Sequence, residues 1–163
     1  MKETRFDKNF LKGVSLAAII LLPFLLRKQS LKEGLLAFLL NGITNNWLDF
    51  YLVSHKKLEY PIRLFPKLFK INIAFDFLLY PTVSVLINKV TQKDGFFMLS
   101  AKVFGFIIGI FAVELWAVKK TSLIRWKNGW NWYHTIGSMV IKSVLNVLAV
   151  RIIKKMGTVL TIY

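Results

Sequence analysis

Charged residues occur inside long apolar stretches of the sequence, where they are energetically costly. Asp49, Asp76 and Glu114 each lie within such a stretch, and so does Lys142. A charged side chain at the centre of a lipid bilayer costs at least about 2.5–3.5 kcal/mol, so residues of this kind mark ion sites, proton relays or buried ion pairs. These four residues are therefore the first candidates for chemistry.

Polar residues recur every four positions in three of the apolar stretches. Residues four apart share one face of a helix. A polar face within a membrane should turn toward protein or water rather than lipid. The three stripes are Asn41, Asn45 and Asp49; Asn72, Asp76, Tyr80, Ser84 and Asn88; and His134, Ser138, Lys142 and Asn146.

The three acidic residues are expected at similar depth in one leaflet. At about 1.5 Å rise per residue they lie about 7–10 Å from the middle of their helices, toward the ends that meet two long loops. Lys142 lies close to the midplane. His134 begins the last apolar stretch on the acidic side, and Arg63 and Arg125 lie in the adjoining loops. The candidate polar cluster is Asp49, Asp76, Glu114, His134, Arg63, Arg125 and Lys142.

This cluster has two interpretations. In the structural one, Arg63 and Arg125 pair with the carboxylates and hold the loops on the helix ends, while Lys142 forms a buried pair that fixes helix register. In the functional one, the carboxylates bind a cation, a proton or a small cationic solute, and Lys142 lines a wet cavity or binds the ligand. No H-E-x-x-H or similar metal-binding spacing is present, so we predict neither a metal nor a cofactor.

Five apolar stretches are the elements that must position these residues. Each approaches the roughly 20 residues that a transmembrane helix needs. In lipid, such a segment satisfies the hydrogen bonds of its backbone by forming a helix. We therefore predict an all-α transmembrane bundle in a single domain over residues 1–163, with a kink at Pro81. The predicted spans are residues 10–26, 31–53, 71–90, 96–118 and 133–153.

Composition supports a membrane protein. The chain has 163 residues, is 55% hydrophobic, and carries a net charge of +15. A soluble domain of this size cannot bury so much apolar surface, and a nucleic-acid-binding protein would not need the apolar stretches. The absence of cysteine excludes disulfides and thiolate chemistry. Basic loop residues are expected to attract anionic lipid headgroups, so we predict the lipid bilayer as a partner and no nucleic acid.

Two longer loops, residues 54–70 and 119–132, are predicted to lie at the membrane surface on the same side. The first contains prolines and large apolar residues, and the second carries aromatic residues typical of an interfacial belt. More than half of the Lys and Arg residues, including Lys2, lie on that side. The positive-inside rule then places the N-terminus in the cytoplasm.

Several stretches resemble an uncharacterised family of small multi-pass membrane proteins from spore-forming bacteria. The similar pieces are Tyr60-Pro61-x-Arg63-x-x-Pro66, Asp76 with Tyr80-Pro81, Glu114 with Trp116, Thr121-x-Leu123-Ile124, and Gly129-Trp130-x-Trp132-Tyr133. The resemblance covers roughly residues 45–150. It implies a bacterial cytoplasmic-membrane protein with about five helices, and it implies no activity.

These observations favour a non-enzymatic membrane protein, structural or accessory to a larger membrane complex or homo-oligomer. The alternative is a small transporter or channel subunit that uses the intramembrane carboxylates to handle an ion, a proton or a solute. An enzyme acting on lipid headgroups is a third possibility. No nucleotide-binding loop and no hydrolase signature is present, so the sequence predicts no catalytic residue.

Overall fold

The computed structural model describes residues 5–27 and 31–160, and it is all-helical, as predicted, apart from one short ribbon. Two strands, β1 (Leu58–Glu59) and β2 (Arg125–Trp126), form the antiparallel ribbon. Three helices, α1, α4 and α5, are long and apolar enough to cross a membrane. The helices are α1 (Arg5–Leu25), α2 (Leu31–Ser54), α3 (Tyr80–Thr91), α4 (Phe96–Lys120) and α5 (Trp132–Leu160).

Helix α2 has its polar face inside and its apolar face outside. Asn45 and Asp49 are buried, whereas Leu39, Ile43 and Trp47 are exposed. This is the reverse of a water-soluble amphipathic helix, whose apolar stripe faces the core. The helix has 24 residues, so it is long enough to cross a hydrocarbon core at about 1.5 Å per residue. Its buried polar residues lower its hydropathy.

The third predicted span, residues 71–90, is not a single α-helix. It begins with a π-helical segment, Ala74–Leu79, which leads directly into α3. The Tyr80 N–H bonds to the carbonyl of Phe75, five residues back. Pro81 lacks an N–H, and in a regular α-helix its ring would clash with the carbonyl four residues earlier. The widened turn accommodates the proline within a π-helical segment that contains Asp76, and the kink itself stays a prediction.

The ends of the other helices also differ from the prediction. Helix α1 begins at Arg5 rather than residue 10, and the buried Asp7 in its first turn accepts the Ser122 N–H at 3.1 Å. Helix α4 continues to Lys120 and α5 begins at Trp132, which shortens the second loop to residues 121–131, and α5 continues to Leu160. Residues 1–4, with Lys2, and residues 28–30 of the first helix connection lie outside the described residues.

Helix α3 occupies the centre of the bundle, in contact with α1, α2, α4 and α5. Its inner face carries Ser84 and Asn88, which both donate to Oδ1 of Asn146 on α5 at 2.8 Å. The Asn146 amide donates in turn to the Ala37 carbonyl of α2 at 3.1 Å. A single buried side chain therefore joins three helices.

The two long loops pair with each other at one end of the bundle. Leu58 lies opposite Trp126 in the ribbon. Asn128 and Gly129 make the adjoining turn with φ angles of 48° and 81°. Positive φ at two successive residues favours Asn-Gly at this turn. The ribbon therefore closes the end of the bundle where the acidic residues lie.

Replacing Asn146 with alanine should destabilise the bundle measurably. The variant loses three interhelical hydrogen bonds, and at about 0.6 kcal/mol each the free energy of unfolding should fall by roughly 2 kcal/mol. Unfolding in mixed detergent micelles measures the change. Ser100→Ala is the matched control, because the hydroxyl of Ser100 bonds to the Phe96 carbonyl of its own helix and to no other described residue. Equal stability of the two variants would contradict the role of Asn146.

Candidate functional site

Two aspartates meet beneath the ribbon. Asp49 comes from the last turns of α2 and Asp76 from the π-helical segment, and both are buried. The hydroxyl of Tyr60 donates a hydrogen bond to Oδ2 of Asp49, and the Asp76 carboxyl lies within hydrogen-bonding reach of the Asp49 carboxyl. Ionised carboxylates only accept hydrogen bonds. A hydrogen bond between the two aspartates would therefore need one of them to be protonated.

Tyr60 remains a donor to this pair. It lies in the loop between β1 and the π-helical segment and is only 4% exposed. Burial first, and then the charges of Asp49 and Asp76, raise the pKa of its phenol well above its usual value. The phenol therefore stays protonated. One oxygen of Asp76, Oδ2, is buried without a hydrogen-bond donor among the described side chains.

Lys142 is the cation at the centre of the cluster. Its ammonium donates to Oδ1 of Asn45 at 2.5 Å and lies 5.5 Å from the centroid of the Tyr80 ring. It attracts Asp49, Asp76 and Glu114 electrostatically. Among the described residues it forms no direct ion pair with any of them, so its charge is shared by the group.

Glu114 lies on the outer side of the cluster. The Tyr80 hydroxyl donates to its Oε2 at 2.8 Å. The side chain of Glu114 is partly exposed, unlike those of the two aspartates. Glu114, Tyr60 and Tyr80 line both a small inner cavity shared with Lys142 and an open groove on the outside of the bundle. Glu114 therefore connects the buried cluster to the bundle surface.

Small polar cavities continue inward from the cluster. The first, of about 30 Å³, is lined by Asp49, Glu114 and Lys142, and the second, of about 20 Å³, by Asn45, Ser84 and Lys142. Each has the volume of one or two water molecules. Beyond them the hydrogen bonds of Asn146 separate the second cavity from a pocket of about 150 Å³ at the opposite end, lined by Glu33, Asn88, Lys89, Arg151 and Lys154. The polar cavities beside the cluster and the far pocket are therefore separate, with the hydrogen bonds of Asn146 between them.

The structure brings together four of the seven predicted site residues: Asp49, Asp76, Glu114 and Lys142. Arg63 instead binds its own loop, donating to the carbonyls of Tyr60, Phe69 and Pro66 at 2.6, 2.7 and 3.3 Å. Among the described residues it forms no ion pair with the buried carboxyls.

The other two predicted residues also lie apart from the cluster. Arg125 is in β2, opposite Glu59 in the ribbon. His134 bonds through Nδ1 to Oδ1 of Asn131 at 2.8 Å and stacks on Trp130. The loops are therefore held by contacts with each other and by hydrogen bonds to Asp49 and Asp7, rather than by arginine–carboxylate pairs.

The candidate cluster predicted from the sequence did not include the two tyrosines that bond to the carboxyls. Tyr80 lies four residues after Asp76, so the polar stripe of α3 was a usable signal. Tyr60 reaches Asp49 through the fold of its loop, and residue spacing gives no signal for it. No group of three His, Asp or Glu side chains in the described part of the chain has a metal-binding arrangement.

The fold and the site define an all-helical bundle with membrane-length apolar helices around a buried acid–lysine cluster. Comparison of the chain with protein-family models, curated sequences and solved structures yields no match.

Replacing Tyr60 with phenylalanine should weaken the attachment of the first loop to the cluster. The variant leaves a buried oxygen of Asp49 without its donor, which costs about 1–3 kcal/mol. Thermal unfolding in detergent, followed by circular dichroism, measures the loss. Tyr133→Phe is the control, because Tyr133 is 54% exposed. Melting curves that coincide for the two variants would rule out a structural role for the Tyr60 hydroxyl.

Proposed function

We propose that this chain is a five-span protein of a bacterial cytoplasmic membrane that belongs to the small multi-pass family it resembles. The inverted polarity of α2 supports a membrane position for that helix as well as for the three apolar ones. The π-helical segment and α3 together supply 18 residues, Ala74–Thr91, and lie among the other helices. The N-terminus is in the cytoplasm, beside the basic loops, as the positive-inside rule favours.

The function that the geometry supports best is proton handling within the membrane. The observation that carries it is the ratio of buried acids to bases. Three carboxyl groups surround one lysine, and an uncompensated buried charge costs several kcal/mol. The excess negative charge must be neutralised, and a proton fits the direct contact between Asp49 and Asp76. We assign the loading and release of protons to the cluster of Asp49, Asp76, Glu114 and Lys142.

The structural interpretation of the cluster has less support than proton handling. That interpretation depended on Arg63 and Arg125 pairing with the carboxylates. Arg63 is instead engaged with backbone carbonyls. A site built only for stability would gain more from apolar residues of similar volume than from unpaired acids. The small polar cavities beside the cluster supply the first part of the route that a proton needs, as far as the hydrogen bonds of Asn146.

Reconstitution into lipid vesicles tests this function. With a potassium gradient and valinomycin to set an inside-negative potential, wild-type protein should acidify the vesicle interior faster than protein-free vesicles do. Glu114→Gln and Asp76→Asn should reduce the rate to the protein-free level, because each removes a group that accepts the proton. A pH-sensitive dye inside the vesicles reports the rate.

The control for this experiment is Asp94→Asn, which also removes a carboxylate. Asp94 pairs with Lys102 at 2.8 Å outside the cluster, so this variant should acidify vesicles at the wild-type rate. A wild-type rate equal to that of protein-free vesicles would contradict the proposal. So would equal losses in Asp94→Asn and Glu114→Gln.

A further inference from the structure

An open groove of about 390 Å³ runs along the outside of the bundle between α1 and α4, with α3 as its floor. Its volume lies within the range of about 300–1,000 Å³ that drug-sized ligands occupy. The walls are apolar and include the rings of Phe10, Phe75 and Tyr80. In a membrane-spanning bundle this groove opens to lipid rather than to water.

One charged side chain lines the groove in the described part of the chain, and it is Glu114. No lysine or arginine of the described residues lines it, so the groove offers no cation to a phosphate group. Helix α4 is centred near residue 108, which places Glu114 about 9 Å from the middle of the helix at about 1.5 Å per residue. A ligand whose charge reaches Glu114 must therefore carry that charge below the headgroup level.

We propose that the groove binds a lipophilic organic cation, an ammonium or phosphonium surrounded by apolar groups, that enters from the lipid and places its charge against Glu114. The ligand should be positively charged, because the charged group that lines the groove is the carboxylate of Glu114. Aromatic rings attract cations through their faces, and Phe10, Phe75 and Tyr80 supply such rings. This inference rests on the proposed proton handling, since the bound cation takes the place of a proton at Glu114.

The charged and titratable groups that face Glu114 determine how the cation and the proton compete for its carboxylate. The cation adds one positive charge to a cluster that already holds one lysine, so one proton should leave as one cation binds. On α1 the groove is lined by Phe10 and Val14, which carry no charge. The titratable groups that face Glu114 are Asp49 on α2, Tyr60 in the first loop, Asp76 on the π-helical segment, Tyr80 on α3 and Lys142 on α5.

Two glycines on α4 provide a matched pair of variants. Gly109 lines the groove and Gly105 does not. A Cβ at either position would meet nothing within 4 Å. Leucine at either position should therefore leave the fold intact. The leucine at position 109, unlike the one at position 105, should occupy part of the groove.

Binding of tetraphenylphosphonium to the purified protein in lipid nanodiscs tests the inference. Isothermal titration in two buffers of different ionisation enthalpy should show one site and release of about one proton. Gly109→Leu and Glu114→Gln should weaken binding about tenfold or more, equivalent to about 1.4 kcal/mol, while Gly105→Leu should bind as wild type does. Circular dichroism on each variant verifies that it is folded.

Three outcomes would overturn the inference: wild-type protein that does not bind the phosphonium, equal binding by the two leucine variants, or unchanged binding by Glu114→Gln. A phospholipid held in the groove, seen by native mass spectrometry and not displaced by the phosphonium, would also overturn it. Proton movement in vesicles is measured without the phosphonium. If the vesicles acidify normally but the phosphonium does not bind, the proposed ligand is therefore rejected and the proposed proton handling stands.

Discussion

Three carboxyl groups share one lysine inside an apolar bundle, and this imbalance of charge constrains the rest of the structure. Lys142 lies among Asp49, Asp76 and Glu114 without a direct ion pair to any of them in the described residues. Tyr60 and Tyr80 supply donors to two of the carboxyls. The end of the bundle above them is closed by the ribbon between the two long loops. The cluster is thus enclosed by polar partners, and the charge of its one lysine does not balance its three carboxyl groups.

The backbone that carries the cluster follows from this constraint. Helix α2, the π-helical segment and α3 together contribute just over half of the buried polar side chains of the described residues, and α2 turns its apolar face outward. The π-helical segment accommodates Pro81 and holds Asp76 one helical turn before Tyr80. Farther along α3, Asn146 ties Ser84 and Asn88 to α2 and closes the route to the far pocket. The same central helix therefore positions the acids and separates the two ends of the bundle.

Residue spacing predicted much of this arrangement. The helical architecture followed from the five apolar stretches, and the four-residue periodicity identified the stripes that contain Asp49, Asp76 and Lys142. The arginines could not be placed in this way, because whether Arg63 reaches a carboxylate or its own loop depends on the path of residues 60–69. The contact of Tyr60 with Asp49 depends on the same path. The groove beside Glu114 arises from the separation of α1 and α4, which no local pattern encodes.

Infrared spectroscopy of the protein in lipid tests most directly whether the cluster holds a proton. With the side-chain carboxyl carbon of aspartate labelled with ¹³C, wild-type protein at neutral pH should show the carbonyl band of a protonated aspartic acid, shifted by the label. Asp76→Asn should remove that band, because the amide replaces the acid in the contact with Asp49. Asp94→Asn should retain it. Wild-type protein without such a band would have both aspartates ionised, and this would contradict proton handling by the cluster.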